Sequence, residues 1–337
     1  MKKVRVGVIG CGAIGKTHIE RITNKIPNAE VTAVADYFPE ASKAAAQKYG
    51  CKMFDTGEEV INSELTDAIL IASADPSHAG YVLESIKAGK RVFCEKPLAQ
   101  KADDCIAIMK AEEATGRILT QVGFMRRYDP GYVQIKKMID SGKYGVPLMI
   151  HEKHRNAYQT GSNFETNTAI YGVCIHEIDI SRWLTDDEYV SGQVLTVRQS
   201  SETDGDYLNP QIVNLQTSKG VRIDVEIIAS GAYAYDIQCE VVTEKAAISL
   251  PNPPSVNCRT NYEEAKPLMH DWSERFPGAY DIEIQAWIDA VQEGRDEGPT
   301  AWDGYVAAVT ADTLIKSRST GKAEKIDLIR KPSIYVK

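Results

Sequence analysis

Apolar runs and segments of helical spacing take turns along the first third of the chain. KVRVGVIG (3–10), AEVTAVAD (29–36), TDAILIAS (66–73), RVFCEKP (91–97) and ILTQVGF (118–124) read as buried strands. Between them, GKTHIERITNK (15–25), PEASKAAAQKYG (39–50), HAGYVLESIKAGK (78–90) and KADDCIAIMKAEEATG (101–116) read as helices, with Gly50 placed as a C-cap. Such alternation with short connections predicts a doubly wound parallel sheet with helices on both faces. After Met125 the texture changes. YDPGYVQIKKMIDSG (128–142) reads as a helix. PLMIHEKHRN (147–156), YVSGQVLTVRQS (189–200), QIVNLQTSKGVRIDVEIIAS (211–230) and YDIQCEVVTEKAAISLP (235–251) then alternate polar with β-branched and aromatic residues, and TSKGVRI reads as a hairpin turn. They predict a large, open, mainly antiparallel sheet. CIHEIDISRWL (174–184) is a helix among these strands, and DIEIQAWIDAVQEG (281–294) and AWDGYVAAVTADTLIKSRSTG (301–321) return to helix.

Composition narrows the picture. The 337 residues are too many for one ordinary core, so two domains are expected. A net charge of -8 argues against a general nucleic-acid binder, which needs a basic face. No apolar run approaches membrane-spanning length. Lys2, Lys3 and Arg5 lead straight into a strand, so no secretory leader is expected. The seven cysteines are odd in number and form no C-x-x-C pair, which predicts reduced thiols and a cytoplasmic setting. The histidines show no ligand spacing, so no metal is expected.

Candidate chemistry begins directly behind the first strand. Gly10, Gly12 and Gly15 stand at G-x-G-x-x-G spacing and open a helix. Gly10 permits a tight turn, Gly12 lets a pyrophosphate approach the backbone, and Gly15 lets helix and strand pack closely. The N–H groups of the helix start, around Ala13 and Ile14, supply partial positive charge for phosphate. Asp36, closing the second strand, is the acid expected for the adenosine ribose hydroxyls. Tyr37 follows rather than arginine, which favours NAD over NADP. Ser73, Asp75 and His78 follow the third strand and are candidate cofactor neighbours, although each also suits a turn or the start of a helix. Glu95 and Lys96 end the fourth strand before Pro97, which biases Lys96 away from α geometry through an X-Pro link that can be cis. The fold expected is thus an N-terminal Rossmann domain over 1–122 and a C-terminal α/β domain over 123–337.

CEKPLA, QVGFMRRYDPGY, PLMIHEKHRN, IHEIDISRWL, YAYDIQCEVV and GPTAWDGYVAAVTAD, behind GVIGCGAIG, together resemble the glucose-fructose oxidoreductase / inositol dehydrogenase / rhizopine-catabolism family, in particular its bacterial inositol 2-dehydrogenase members. The likeness spans nearly the whole chain in the same motif order. It implies NAD-linked oxidation of a ring secondary alcohol of a cyclic polyol, myo- or scyllo-inositol, in a homotetramer packed sheet to sheet. It implies Lys96 and His176 as catalytic residues converging on one oxygen, with His176 as the base. It implies Arg127, His154 and Tyr235 as substrate-binding residues and Tyr280 near the cofactor. Read singly, Arg127 suits an ion pair with Asp129 or a similar acid, His154 a strand-face histidine, and Tyr235 core packing. An apolar open sheet face would favour assembly.

One position departs from the family's pattern of acid, three residues, histidine, two residues, acid. His176 and Asp179 are present, but Gly172 stands where the leading acid is expected. Three readings stay open. Another group, a water or Tyr171, stands in. The pocket is widened for another polyol stereoisomer or for an aldohexose or pyranoside. Or catalysis is weakened, in the limit to a non-catalytic NAD-binding regulator.

Overall fold

Val6, Val8, Ile69, Leu70, Val92 and Phe93 have no solvent exposure, so the runs that contain them form central strands covered on both faces. The computed structural model describes residues 3–158, 164–201, 203, 207–251 and 257–336; Lys2 lies outside them. The elements begin with β1 (Val4–Ile9), α1 (Ala13–Lys25), β2 (Ala29–Ala35), α2 (Pro39–Tyr49), β3 (Lys52–Met53), α3 (Gly57–Asn62), β4 (Ala68–Ile71), α4 (His78–Lys87), β5 (Arg91–Glu95), α5 (Ala102–Thr115) and β6 (Thr120–Gly123). They continue with α6 (Pro130–Asp140), β7 (Pro147–Arg155), α7 (Ile175–Thr185), β8 (Tyr189–Thr196), β9 (Gln211–Thr217), β10 (Arg222–Ile228), β11 (Asp236–Thr243), β12 (Ala247–Ser249), β13 (Cys258–Thr260) and β14 (Glu263–Ala265). Last come α8 (Trp272–Arg275), α9 (Pro277–Glu293), α10 (Ala301–Thr320) and β15 (Glu324–Lys325).

The first unit is built on a six-stranded parallel sheet in the order β3-β2-β1-β4-β5-β6. The five expected strands are all present. β3 and α3 are additions, too short for any periodicity to show; α3 is set by a capping box in which Thr56 and Glu59 bond each other's backbone. Strand order reverses between β1 and β4, which opens a crevice beyond their carboxyl ends.

Tyr280–Ala308 and the stretch that begins at Leu328 also pack with this unit, beyond the division expected at residue 122. The reason is packing. Ile284, Trp287 and Ile288 of α9 belong to the same buried cluster as Val6, Val8, Ile19 and Ile22. Arg21 and Lys25 of α1 pair with Asp281 at 2.6 Å each. Near the C-terminus the Tyr335 hydroxyl donates to buried Glu112 at 2.5 Å.

The second unit comprises Met125–Ala279 and Val309–Asp327. Its seven-stranded sheet runs β12-β11-β7-β10-β9-β8-β15 and is antiparallel throughout except between β7 and β10. Ile150, Glu152 and His154 of β7 are buried, while His151, Lys153 and Arg155 point to the other face. α7 covers the buried face, where Ser181 donates to Glu152 at 2.7 Å. Toward the end of α10, Ser317 accepts from the Val194 N–H at 3.2 Å.

The open face carries charged and polar side chains along β7, β10 and β11. His151, Lys153 and Arg155 lie beside Asp224, Glu226, Asp236, Gln238 and Glu240. His151 meets Asp224 at 2.6 Å and Arg155 meets Glu226 at 2.8 Å. All seven cysteines are free thiols. Among the described residues no helix is long and apolar enough to cross a membrane, and no group of three or more His, Cys, Asp or Glu could hold a metal ion.

Candidate active site

In the first unit the candidate residues gather where strands end. The three glycines of the first turn have different surroundings. Gly10 has φ +99°, and a Cβ there would lie 2.4 Å from the Ala72 backbone. A Cβ on Gly15 would lie 2.0 Å from the Gly10 carbonyl oxygen. A Cβ on Gly12 would meet nothing within 4 Å among the described residues. Gly10 and Gly15 are thus required by packing, whereas Gly12 borders open space at the start of α1. That start has no side-chain cap, so its N–H groups, Ala13 and Ile14 among them, suit an anion. Asp36 accepts from the Cys11 N–H at 2.5 Å and from the Phe38 N–H at 2.7 Å. Its carboxylate keeps acceptor sites for hydroxyls beyond these two bonds. Tyr37 is 91% exposed beside it. These features fit a dinucleotide.

The loops after β4 and β5 are tied together. His78, 1% exposed, lies with its ring nitrogens 3.0 Å from the Ser73 carbonyl and 2.7 Å from the Pro97 carbonyl. It joins the two loops from within. Ser73 and Ser77 share a hydroxyl bond at 2.7 Å, and Asp75 opens the short turn between them. The Lys96–Pro97 bond is cis, and Lys96 is half-buried.

Glu95, buried just before Lys96, meets His18 Nε2 at 2.7 Å and accepts from the Lys96 N–H at 3.3 Å. The other ring nitrogen of His18 lies 3.1 Å from Arg21 Nη1. An arginine only donates, so Nδ1 accepts and Nε2 carries the proton toward Glu95. Burial pushes the Glu95 carboxyl up, but the His18 hydrogen bond and the nearby positive charges hold it below the usual carboxylate range. Tyr280 packs edge-on against His18 at 5.8 Å and under Arg21 at 5.2 Å. Sequence reasoning missed His18; its signal was a histidine one position from Ile19, with an arginine three residues on.

The second unit carries the other candidates. His176 is the second residue of α7 and only 8% exposed. Its ring lies 6.2 Å from that of His154 on β7, and the Tyr235 ring meets His154 edge-on at 5.9 Å. His154, His176 and Tyr235 therefore cluster. Burial pushes the Tyr235 phenol up to about 12. Arg127 forks onto Asp179, with Nε at 2.8 Å, so its ion-pair alternative is what the structure shows, with Asp179 in place of Asp129. Asp129 instead caps α6 and pairs with Arg275 at 2.7 Å.

Gly172 lies in a π-helical turn, Ala169–Cys174, and among the described residues an added Cβ would meet Thr168 Cγ2, at 3.3 Å. Tyr171, a candidate to stand in for the missing acid, is itself bound to an acid. Its hydroxyl donates to Asp312 of α10 at 3.0 Å, and burial with that charge pushes the phenol up to about 12.

Two charged residues missed in the sequence lie at the centre of this cluster. Arg126, 1% exposed, pairs with fully buried Glu177, and both contact His154. Arg126 was masked by its neighbour Arg127, and Glu177 by the histidine before it. Close by, burial and the Glu177 charge push the Glu152 carboxyl up to about 8.

Residues 4–124 match the family model described as "Oxidoreductase family, NAD-binding Rossmann fold", and residues 136–328 match its C-terminal alpha/beta domain. The chain belongs to this oxidoreductase family. Among its relatives, an inositol 2-dehydrogenase of Azotobacter vinelandii is 47% identical over 334 residues, 98% of each chain. One of Burkholderia ambifaria is 46% identical over 98% of this chain and 99% of that one. Among solved structures, a myo-inositol dehydrogenase from Lactobacillus casei in complex with NAD(H) and myo-inositol superposes with a TM-score of 0.96, at 36% identity, over 99% of this chain and 100% of that one. As in other members of the oxidoreductase family, the first unit is an NAD-binding Rossmann domain.

The glycine geometry separates packing from binding. Gly15→Ala should cost about 1–3 kcal/mol of stability, seen as a lower melting temperature. Gly12→Ala should leave the melting temperature unchanged while weakening NAD binding by calorimetry about tenfold or more.

Glu152 gives a pH dependence of stability. Between an ordinary carboxylate pKa of about 4.3 and about 8, the folded protein holds a proton that the unfolded chain has released. Stability therefore falls as pH rises through this window. Glu152→Gln should raise the melting temperature at pH 8 and leave it nearly unchanged near pH 4.

Proposed function

We propose that this protein oxidises a ring secondary alcohol of a cyclic polyol, myo-inositol first, to the ketone with NAD as acceptor. Three observations carry this reading: a dinucleotide-binding strand edge in the first unit, a buried histidine cluster in the second, and similarity over 98% of the chain to an inositol 2-dehydrogenase. The relative solved with NAD(H) and myo-inositol supports the choice of isomer. Gly10, Gly12, Gly15, Ala13 and Ile14 hold the pyrophosphate, Asp36 and Tyr37 border the adenosine ribose, and Ser73, Asp75, His78, Glu95 and Tyr280 shape or support the nicotinamide end. A bound nicotinamide supplies the acceptor for the hydride that leaves carbon.

The chain's own residues handle oxygen and proton. A secondary alcohol scarcely ionises at neutral pH, so a positioned base contributes on the order of 10²–10⁴ in rate. His176 takes the hydroxyl proton. Lys96 donates to the same oxygen and stabilises its developing negative charge. His154, Tyr235 and the Arg127–Asp179 pair bind the remaining hydroxyls. The homotetramer and cytoplasmic location implied by the family resemblance belong to the same proposal.

One observation favours a second reading. The space beside Gly172 suits a bulkier ring, such as an aldohexose or pyranoside.

Purified protein with NAD and a panel of inositols and aldohexoses decides between them by the absorbance of reduced nicotinamide. Fastest turnover on myo-inositol is expected, with loss of about 10²-fold or more in kcat/KM for Lys96→Ala and for His176→Ala. Turnover of none of them contradicts the proposal. Gly172→Asp should raise turnover of myo-inositol without changing the preferred substrate. A switch of preference from an aldohexose to myo-inositol would support the second reading.

A further inference from the structure

We propose that Tyr37 and Phe38 form an adenine-binding platform, two exposed rings set at a right angle directly after Asp36 that receive the face and the rim of the cofactor's base. The inference rests on the reading of Asp36 as the acceptor for the adenosine ribose hydroxyls.

Tyr37 is 91% exposed and Phe38 68%. Among the described residues Phe38 is the only exposed phenylalanine. The two ring centroids lie 5.2 Å apart with the planes at 89°, an edge-to-face contact. That contact leaves most of both rings in water. Single apolar residues scattered over a surface need no explanation. Two large rings in succession, beside a carboxylate suited to a ligand, mark a surface that the ligand covers. Their backbone is already held. The Phe38 N–H donates to Asp36 Oδ1 at 2.7 Å, and the Phe38 carbonyl accepts from the Ala41 N–H at 2.9 Å. Pro39 follows at the start of α2, with φ fixed by its own ring. Little backbone freedom remains to be lost when a base settles there.

The Asp36 carboxylate sets what the rings face. Its Oδ2 accepts from the Cys11 N–H in the glycine turn, and its Oδ1 accepts from the Phe38 N–H. One side chain therefore touches both the phosphate-binding turn and the aromatic pair. In a dinucleotide the adenosine ribose is joined to a phosphate on one side and to adenine on the other. A ribose seated on Asp36, with its phosphate at the start of α1, leaves its adenine on the far side of that carboxylate, where Tyr37 and Phe38 stand. Adenine is flat, apolar on its faces and polar along its rim. It can lie parallel to only one of two perpendicular rings, and it then meets the other with its rim. Stacking a base on an aromatic ring is worth about fivefold or more in affinity. Neither ring is charged, so the platform works in an acidic chain without adding a cation.

Calorimetric titration of the full-length protein with NAD, and with ADP-ribose, which keeps the adenosine end and lacks the nicotinamide, tests this. The double variant Tyr37→Ala with Phe38→Ala should weaken both ligands by about fivefold or more. Both rings lie on the surface, so its melting temperature and its particle size by light scattering should stay as in wild type. Tyr37→Phe and Phe38→Tyr, which keep two flat rings, should bind both ligands as wild type does. A smaller loss in the double variant would overturn the proposal, and so would a loss confined to NAD or an equal loss in the ring-keeping variants. A change in particle size would also overturn it, because the rings would then belong to a contact between protein chains. Asp36→Ala, titrated alongside, should weaken both ligands. Unchanged binding in that variant would defeat the ribose reading, whereas loss there with none in the double variant would defeat this inference alone.

Discussion

An ionised carboxylate cannot be taken out of water unless cations and N–H donors replace the water it loses. Both units of this protein meet that constraint, and in both the buried carboxylate is the chain neighbour of a proposed catalytic residue. Glu95 precedes Lys96 and is held by His18, which Arg21 holds in turn. Glu177 follows His176 and is held by Arg126 and His154. Each gathers a histidine and an arginine about one carboxylate, Arg21 only through His18 and Arg126 directly. Removing the histidine of either set would leave its buried carboxylate short of a partner, so the chain beside Lys96 and beside His176 is held by groups that need not themselves take part in the reaction.

The cofactor edge uses a different economy of charge. The chain as a whole is acidic, yet a phosphate requires only a local arrangement of N–H groups. The uncapped start of α1 provides it, and Gly12 leaves the approach open. Asp36 is oriented before any ligand arrives, because the N–H groups of Cys11 and Phe38 already hold both its oxygens. A preoriented acceptor of this kind favours ribose hydroxyls and repels a 2′-phosphate.

Much of this could be read from the chain. Apolar runs marked five strands of the first sheet, and alternation marked the second sheet, because burial on both faces or on one leaves different patterns. The glycine turn and Asp36 were legible because their spacing is fixed by a ligand's dimensions. Other features left weaker traces. The apolar stripe of α9 shows that it is buried but not in which core, so its membership in the first unit emerged only from Ile284, Trp287 and Ile288. α7 is buried almost all round, which hides a functional face. His18, Arg126 and Glu177 look like surface residues until their partners, distant in sequence, are brought to them. The π-helical turn at Ala169–Cys174 alters the spacing that an α-helical reading assumes for Gly172 and His176.

These strands meet in one claim: that the backbone-anchored side chains of Lys96 and His176 serve a single alcohol oxygen. A crystal structure of the protein with NAD and myo-inositol bound tests it most directly. The account predicts the Lys96 ammonium and the His176 imidazole both within hydrogen-bonding distance of the hydroxyl to be oxidised, with Glu95 and Glu177 still on their histidines. Either group beyond reach of that oxygen would contradict it.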